Sequence, residues 1–119
     1  MPDAKTYQGG CHCGKVRYQV TADLAQVISC NCSICSKKAS LLTFVGTDAF
    51  QLLQGEDNLT DYQFNTKNIH HVFCRTCGIQ SFARGTDRQG QAMFSVNVRC
   101  LDDVDPTTLA VTAVDGRSR

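Results

Sequence analysis

Apolar and polar residues alternate in short bursts along this chain. In KVRYQV, residues 15–20, Val16, Tyr18 and Val20 fall on one side of a two-residue repeat and polar residues on the other. That period marks a half-buried strand. QAMFSVNVRC, 91–100, carries Phe94, Val96, Val98 and Cys100 in one phase and is the strongest strand signal in the chain. LLTFVG, 41–46, is a short apolar run closed by Gly46 and also predicts a strand. HHVFC, 70–74, leads into a cysteine turn, and IQSFARG, 79–85, leads out of one. Residues 33–38 can begin a short helix. Asp105-Pro106 predicts a turn or a helix start, since proline is accepted at the first helical position. The expected fold class is mainly β, built from short strands separated by glycines and polar turns, with few short helices.

Composition narrows the class further. A length of 119 residues fits one domain, 1–119, and a 42% hydrophobic content without tryptophan allows a modest core. Twelve basic and eleven acidic residues give a net charge of +1, the balance of a mixed solvated surface. Bulk attraction to nucleic acid or to an anionic membrane is not expected from it. MPDAKTYQGG lacks the apolar core of a secretory signal, and no apolar run approaches membrane-spanning length, so the cytoplasm is the expected compartment. Eight cysteines there favour metal ligation over disulfides. Met1 and the close cysteine spacings argue against a secreted disulfide scaffold.

The cysteines fall into three clusters, CHCG at 11–14, CNCSIC at 30–35 and CRTCG at 74–78, with Cys100 alone. Gly14 and Gly78 each follow the second cysteine of a pair. A metal knuckle turns the backbone so that amides point at the sulfurs, and the residue after the second ligand then often needs a positive φ, which glycine adopts readily. This shared detail pairs Cys11 and Cys13 with Cys74 and Cys77 in one closed four-thiolate site. Such a site is structural and would join parts of the chain about sixty residues apart.

Cys30, Cys32 and Cys35 lack the following glycine, yet three thiols within six residues converge readily on one ion. Zinc prefers four ligands. The candidates for the fourth are Cys100, His12, His70 and His71. Cys100 shares its phase with Phe94, Val96 and Val98 and reads as a small core residue. His12 sits between two ligands of the other site and is expected to point outward. His70 and His71 close a strand, one facing inward and one outward. None is a clean partner, so the fourth position is expected to be open to water or to a substrate atom.

GGCHCGKVRY, CNCSICSKK, HHVFCRTCGIQSF, SVNVRCLDDVD and the terminal VDGR together resemble the glutathione-dependent formaldehyde-activating enzyme family, which also includes centromere protein V-like domains. The resemblance runs from about residue 7 to about residue 116. It implies a mainly β fold of zinc-linked sheets, described as a β-tent. It implies a structural zinc at Cys11, Cys13, Cys74 and Cys77 and a second zinc at Cys30, Cys32 and Cys35, open to substrate. It also implies carbon–sulfur lyase chemistry, in which glutathione and formaldehyde combine reversibly to S-hydroxymethylglutathione.

The residue types suit that chemistry. Zinc held by three thiolates carries a formal charge of −1, is a weak Lewis acid and accepts a soft fourth ligand. A coordinated thiol loses its proton, so glutathione would bind as a thiolate poised to attack an aldehyde carbon. Lys37, Lys38 and Arg75 lie beside the metal-binding turns and are candidates to receive glutathione's carboxylates. His70, His71 and Asp48 are candidates for a general acid. The alternative is a non-catalytic zinc-ribbon module that binds protein or nucleic acid. Such a module usually shows a basic patch interleaved with aromatics, which the near-neutral composition does not supply.

Overall fold

The computed structural model describes residues 4–118 apart from 65, 66 and 88. The outer ends of the domain expected over 1–119, residues 1–3 and 119, therefore lie outside the described residues. In chain order the elements are β1 (Lys5–Gly10), β2 (Arg17–Ala22), β3 (Val27–Cys30), α1 (Cys35–Lys38), β4 (Leu42–Gly46), β5 (Phe50–Gln54), β6 (Leu59–Tyr62), β7 (His71–Cys74), β8 (Phe82–Thr86), β9 (Ala92–Asn97) and β10 (Val111–Val114). The fold is mainly β, as the alternating pattern predicts. The strands form three sheets, ordered β1-β2-β5, β10-β3-β4-β9-β8 and β6-β7. Strands β3 and β10 pair in parallel, with Val114 opposite Cys30, while the other pairings are antiparallel.

The core follows from the two-residue repeat. Val16, Tyr18 and Val20 are completely buried, as are Val96 and Val98. Tyr18 stacks on Phe50 with ring centroids 5.0 Å apart, and Phe50 stacks on Phe94 at 4.1 Å. These contacts bring β2 and β5 of one sheet against β9 of the other. Strand β1 can lie close to β2 because glycine ends it: a Cβ on Gly10 would stand 2.0 Å from the Val16 carbonyl oxygen.

The strand expected over 91–100 stops earlier. The Asn97 side-chain oxygen accepts from the Arg99 amide at 3.2 Å and opens a 3-10 turn, Val98–Cys100. Cys100 therefore leaves the strand phase in which the alternation placed it, and it is only half-buried. Asp105-Pro106 does start a helical turn, with the Asp105 carboxylate accepting from the Thr107 amide.

The Tyr18 hydroxyl donates to the Ser81 carbonyl oxygen at 3.0 Å from a fully buried position. Tyr18→Phe should cost about 1 kcal/mol, the net worth of the lost hydrogen bond, since the Ser81 carbonyl keeps the Asn97 amide as a donor at 3.0 Å. Urea unfolding would check it, and a midpoint equal to the parent's would show that the hydrogen bond contributes nothing net.

Candidate metal centres and cavity

Two groups of sulfurs converge, and they are the groups into which the cysteine spacings sort. Cys11, Cys13, Cys74 and Cys77 form one, Cys30, Cys32 and Cys35 the other, and within each the Sγ atoms all lie within 4.8 Å of one another. In the first, Cys11 and Cys13 follow β1, Cys74 ends β7 and Cys77 lies in the turn beyond. Gly14 and Gly78 have φ of 85° and 80°, the left-handed backbone that their positions after the pairs call for. The Sγ of Cys13 stands 3.6 Å from that of Cys11 and 3.6 Å from that of Cys74. Four sulfurs bound tetrahedrally to zinc at ~2.3 Å stand about 3.8 Å apart, so this cage fits such an ion.

Protein donors already face these sulfurs. The Val16 amide donates to Cys11 at 3.3 Å, and the Asn58 side-chain amide and the Cys77 amide donate to Cys74 at 3.4 and 3.5 Å. The Cys77 thiol is held down to about 6 by the amides of Ile79 and then Cys13. Such donors stabilise thiolate, the form that binds metal.

The second group is built by β3, the turn after it and α1. Cys30 ends β3 and Cys35 begins α1. The Ser36 amide donates to the Cys32 carbonyl at 2.9 Å, curling the chain so that Cys32 and Cys35 face one point. The helix stops at Ala39, whose φ of 55° is left-handed and whose amide donates to the Cys35 carbonyl. Burial, and then the neighbouring Cys32, push the Cys35 thiol up to about 12. Three thiols gathered within 4.8 Å of one another form a donor set that fits a soft metal. Among the described residues, no His, Cys, Asp or Glu joins the three as a fourth ligand.

The chain's C-terminal segment braces this group, a feature that the spacings do not disclose. Asn31, between two of the cysteines, donates to Asp115 at 3.0 Å and accepts from the Arg117 amide at 2.9 Å. The Arg117 guanidinium donates to the Asn31 carbonyl at 3.2 Å and to the Ser36 hydroxyl at 3.3 Å. A Cβ on Gly116 would lie 2.5 Å from the Cys30 sulfur, so only glycine lets the segment pass there undisturbed.

The three sulfurs open on a cavity of about 310 Å³. Of the three cations expected to receive carboxylates, the structure brings Lys38 alone to its wall. Lys38 donates to the Gln80 side-chain oxygen at 2.6 Å. Lys37 is exposed on α1, and Arg75 turns to the Asn58 side chain at the four-cysteine end. Among the histidines, His12 is exposed, and His70 pairs with Asp61 at 2.6 Å outside the cavity. Asp48 is exposed in the turn Thr47–Ala49 and does not line the cavity. His71 is buried, lines the cavity, and has an Nδ1 with no hydrogen-bond partner. Its ring stacks on Phe64 at 5.3 Å. Cys100 belongs to neither sulfur group, and burial pushes its thiol up to about 11. No helix among the described residues is long and apolar enough to cross a membrane.

Comparison with known proteins agrees with this geometry. Residues 6–114 match the family described as glutathione-dependent formaldehyde-activating enzyme. A crystal structure of a Rhodobacter sphaeroides protein, a structural genomics target, superposes with a TM-score of 0.81 at 34% sequence identity, covering 90% of this chain and 99% of that one.

Burial, and then the charge of Lys38, hold the His71 pKa below its ordinary 6.5. Between the two values the unfolded chain binds a proton that the folded chain does not, so stability falls as pH drops through that window. His71→Gln removes this contribution. From about pH 7 to about pH 5.5 the parent should lose more stability than the variant, as read by denaturant midpoints at each pH. Parallel losses would place the ring in a better-solvated setting than the structure gives it.

Proposed function

The chain belongs to the glutathione-dependent formaldehyde-activating enzyme family, and from that premise we propose that it is a zinc-dependent carbon–sulfur lyase acting on adducts of glutathione with an aldehyde. The observation that carries the proposal is the set of three sulfurs, Cys30, Cys32 and Cys35, at the end of a cavity with no fourth protein ligand among the described residues. Bound there, zinc would supply a soft site that takes the fourth ligand as a thiolate. The four-cysteine cage would hold a second, structural zinc.

The chain's own residues divide the remaining work. The sulfur's electron pair forms the bond to the carbonyl carbon while the C=O π pair moves onto oxygen, which takes up the proton that the thiol released. The reverse elimination is the lyase direction. His71 lines the cavity and has a ring nitrogen without a hydrogen-bond partner, which supports it as the group that would hydrogen-bond that oxygen. Its depressed pKa keeps the ring neutral near pH 7, so it neither competes with a cation nor adds charge. Lys38, held by Gln80, offers the cavity one positive charge for a glutathione carboxylate. Water exclusion falls to the apolar wall. A cytoplasmic setting, where thiols stay reduced and glutathione is abundant, suits eight free cysteines.

Two experiments test this reading. Cys77→Ser should unfold the protein or prevent its accumulation, whereas Cys32→Ser should leave a folded chain with about one zinc fewer. Equal collapse of both variants would remove the division into a structural and an open site.

Calorimetry on the zinc-loaded protein should show glutathione binding much more tightly than S-methylglutathione, which keeps both carboxylates but cannot form a thiolate. Faster exchange between glutathione and formaldehyde should accompany that binding. Equal affinities would eliminate anchoring through sulfur. Absence of glutathione binding, together with tight DNA binding at physiological salt, would leave the non-catalytic zinc module as the better account.

A further inference from the structure

We propose that the carbonyl compound handled here carries an apolar chain of several carbons, so that the preferred adduct is a hemithioacetal of a medium-length aliphatic or aromatic aldehyde. This rests on the reading of Cys30, Cys32 and Cys35 as the thiol site.

The strand pattern supplies the first reason. LLTFVG is apolar without alternation, which in a sheet means that both faces need cover. Val45 on β4 packs against the core. Leu42 and Phe44, on the opposite face, line the cavity. Leu42 pairs with Ile28 on β3 and with Asn97 on β9, and Phe44 pairs with Ser95. The floor of the cavity is thus the outer face of the five-stranded sheet, and it leads directly to Cys30, two residues after Ile28 on β3.

The second reason is where exposed apolar side chains collect. The large hydrophobic residues exposed among those described are Phe44, Leu53, Tyr62, Ile69, Ile79 and Val111. Phe44 and Ile69 line this cavity, and Tyr62 and Ile79 line a second that shares Ile34, Lys38, His71 and Gln80 with it. Four of the six therefore ring one continuous site. Apolar surface gathered around a concave site marks what the site binds.

Size is the third reason. A one-carbon aldehyde occupies little more than a water, about 30 Å³ of liquid volume. The cavity measures about 310 Å³, and among the described residues Lys38 is its one lysine or arginine, already engaged with Gln80. Glutathione brings two carboxylates and an ammonium, for which this wall offers few partners. The peptide part fits the cavity mouth better than its floor, and the floor is left for a hydrocarbon chain. Formaldehyde would leave it uncovered.

S-alkylglutathiones share the carbon–sulfur bond of such adducts and lack only the hydroxyl. On the zinc-loaded full chain, calorimetry from S-methyl- to S-pentylglutathione should show affinity rising about three- to fourfold per methylene. The kcat/KM for adduct cleavage should rise from formaldehyde through propanal to pentanal. Phe44→Ser and Ile69→Ser alter exposed side chains, so the fold should survive, as thermal unfolding would verify, and both should flatten the chain-length slope. A flat or falling series with glutathione binding and formaldehyde exchange intact overturns this inference alone. An unchanged slope in both variants overturns it too, since the apolar contact would then lie elsewhere. Loss of glutathione binding and of turnover with every adduct overturns the thiol site and this inference with it.

Discussion

The convergence of cysteine sulfurs from stretches about sixty residues apart in the sequence is the constraint on which the rest of the structure depends. Cys13 and Cys74 are 61 residues apart in sequence, yet their sulfurs stand 3.6 Å apart. Bringing them together closes a long loop, and the entropy of that closure rises only slowly with length. A cation at the cage would therefore stabilise the fold at one point, by holding together β1 and β7, which belong to different sheets. The small apolar core, whose largest fully buried side chain is Tyr18, has correspondingly less to supply. Donors from Val16, Asn58 and Cys77 surround the sulfurs so that little rearrangement remains when metal binds.

The same residue type serves two purposes because the backbone around it differs. In the four-cysteine cage, the turns after Cys13 and Cys77 relax into left-handed glycines, and four sulfurs gather within 4.8 Å of one another. At Cys30, Cys32 and Cys35 the chain instead enters a four-residue helix, and three sulfurs share one side of a space whose other side is cavity. The left-handed residue there is Ala39, beyond the helix and away from the ligands. The difference between a four-sulfur group and a three-sulfur group beside a cavity thus follows from where the chain turns, with no change in residue type.

Much of this was legible in the sequence, for identifiable reasons. The period-two strands β2 and β9 read correctly because one face of each is buried. The four-cysteine grouping read correctly because glycine after each pair reports backbone geometry directly, and the triplet because three thiols within six residues converge readily. Strands β1, β5, β6 and β10 were not legible: each lies at a sheet edge, where one side of the ladder faces no partner and polar residues are tolerated. Strand β3 is central but only four residues long, too short to show a period. Cys100 followed its phase on paper until the Asn97 cap broke the strand, a side-chain event that hydrophobic periodicity does not register. Arg75 and Lys37 sit next to ligands in sequence, yet turns direct neighbouring side chains apart, so sequence adjacency did not translate into a shared site.

His71 shows what kind of information was missing. Its neighbour His70 has the same side chain, one residue away, and finds Asp61 near the surface. The strand's alternation sends His71 the other way, beneath Phe64 and beside Lys38, where its Nδ1 has no partner. The sequence predicted that one of the two would face inward without saying which. The choice depends on the register of β7 against β6, which sets Tyr62 opposite His71 and Asp61 opposite Val72. Shifting that register by one residue would exchange the two rings, leave the cavity without its neutral imidazole and drive Val72 out of the core. The buried Val72 therefore selects which histidine lines the cavity, and packing in the core sets that part of the cavity wall.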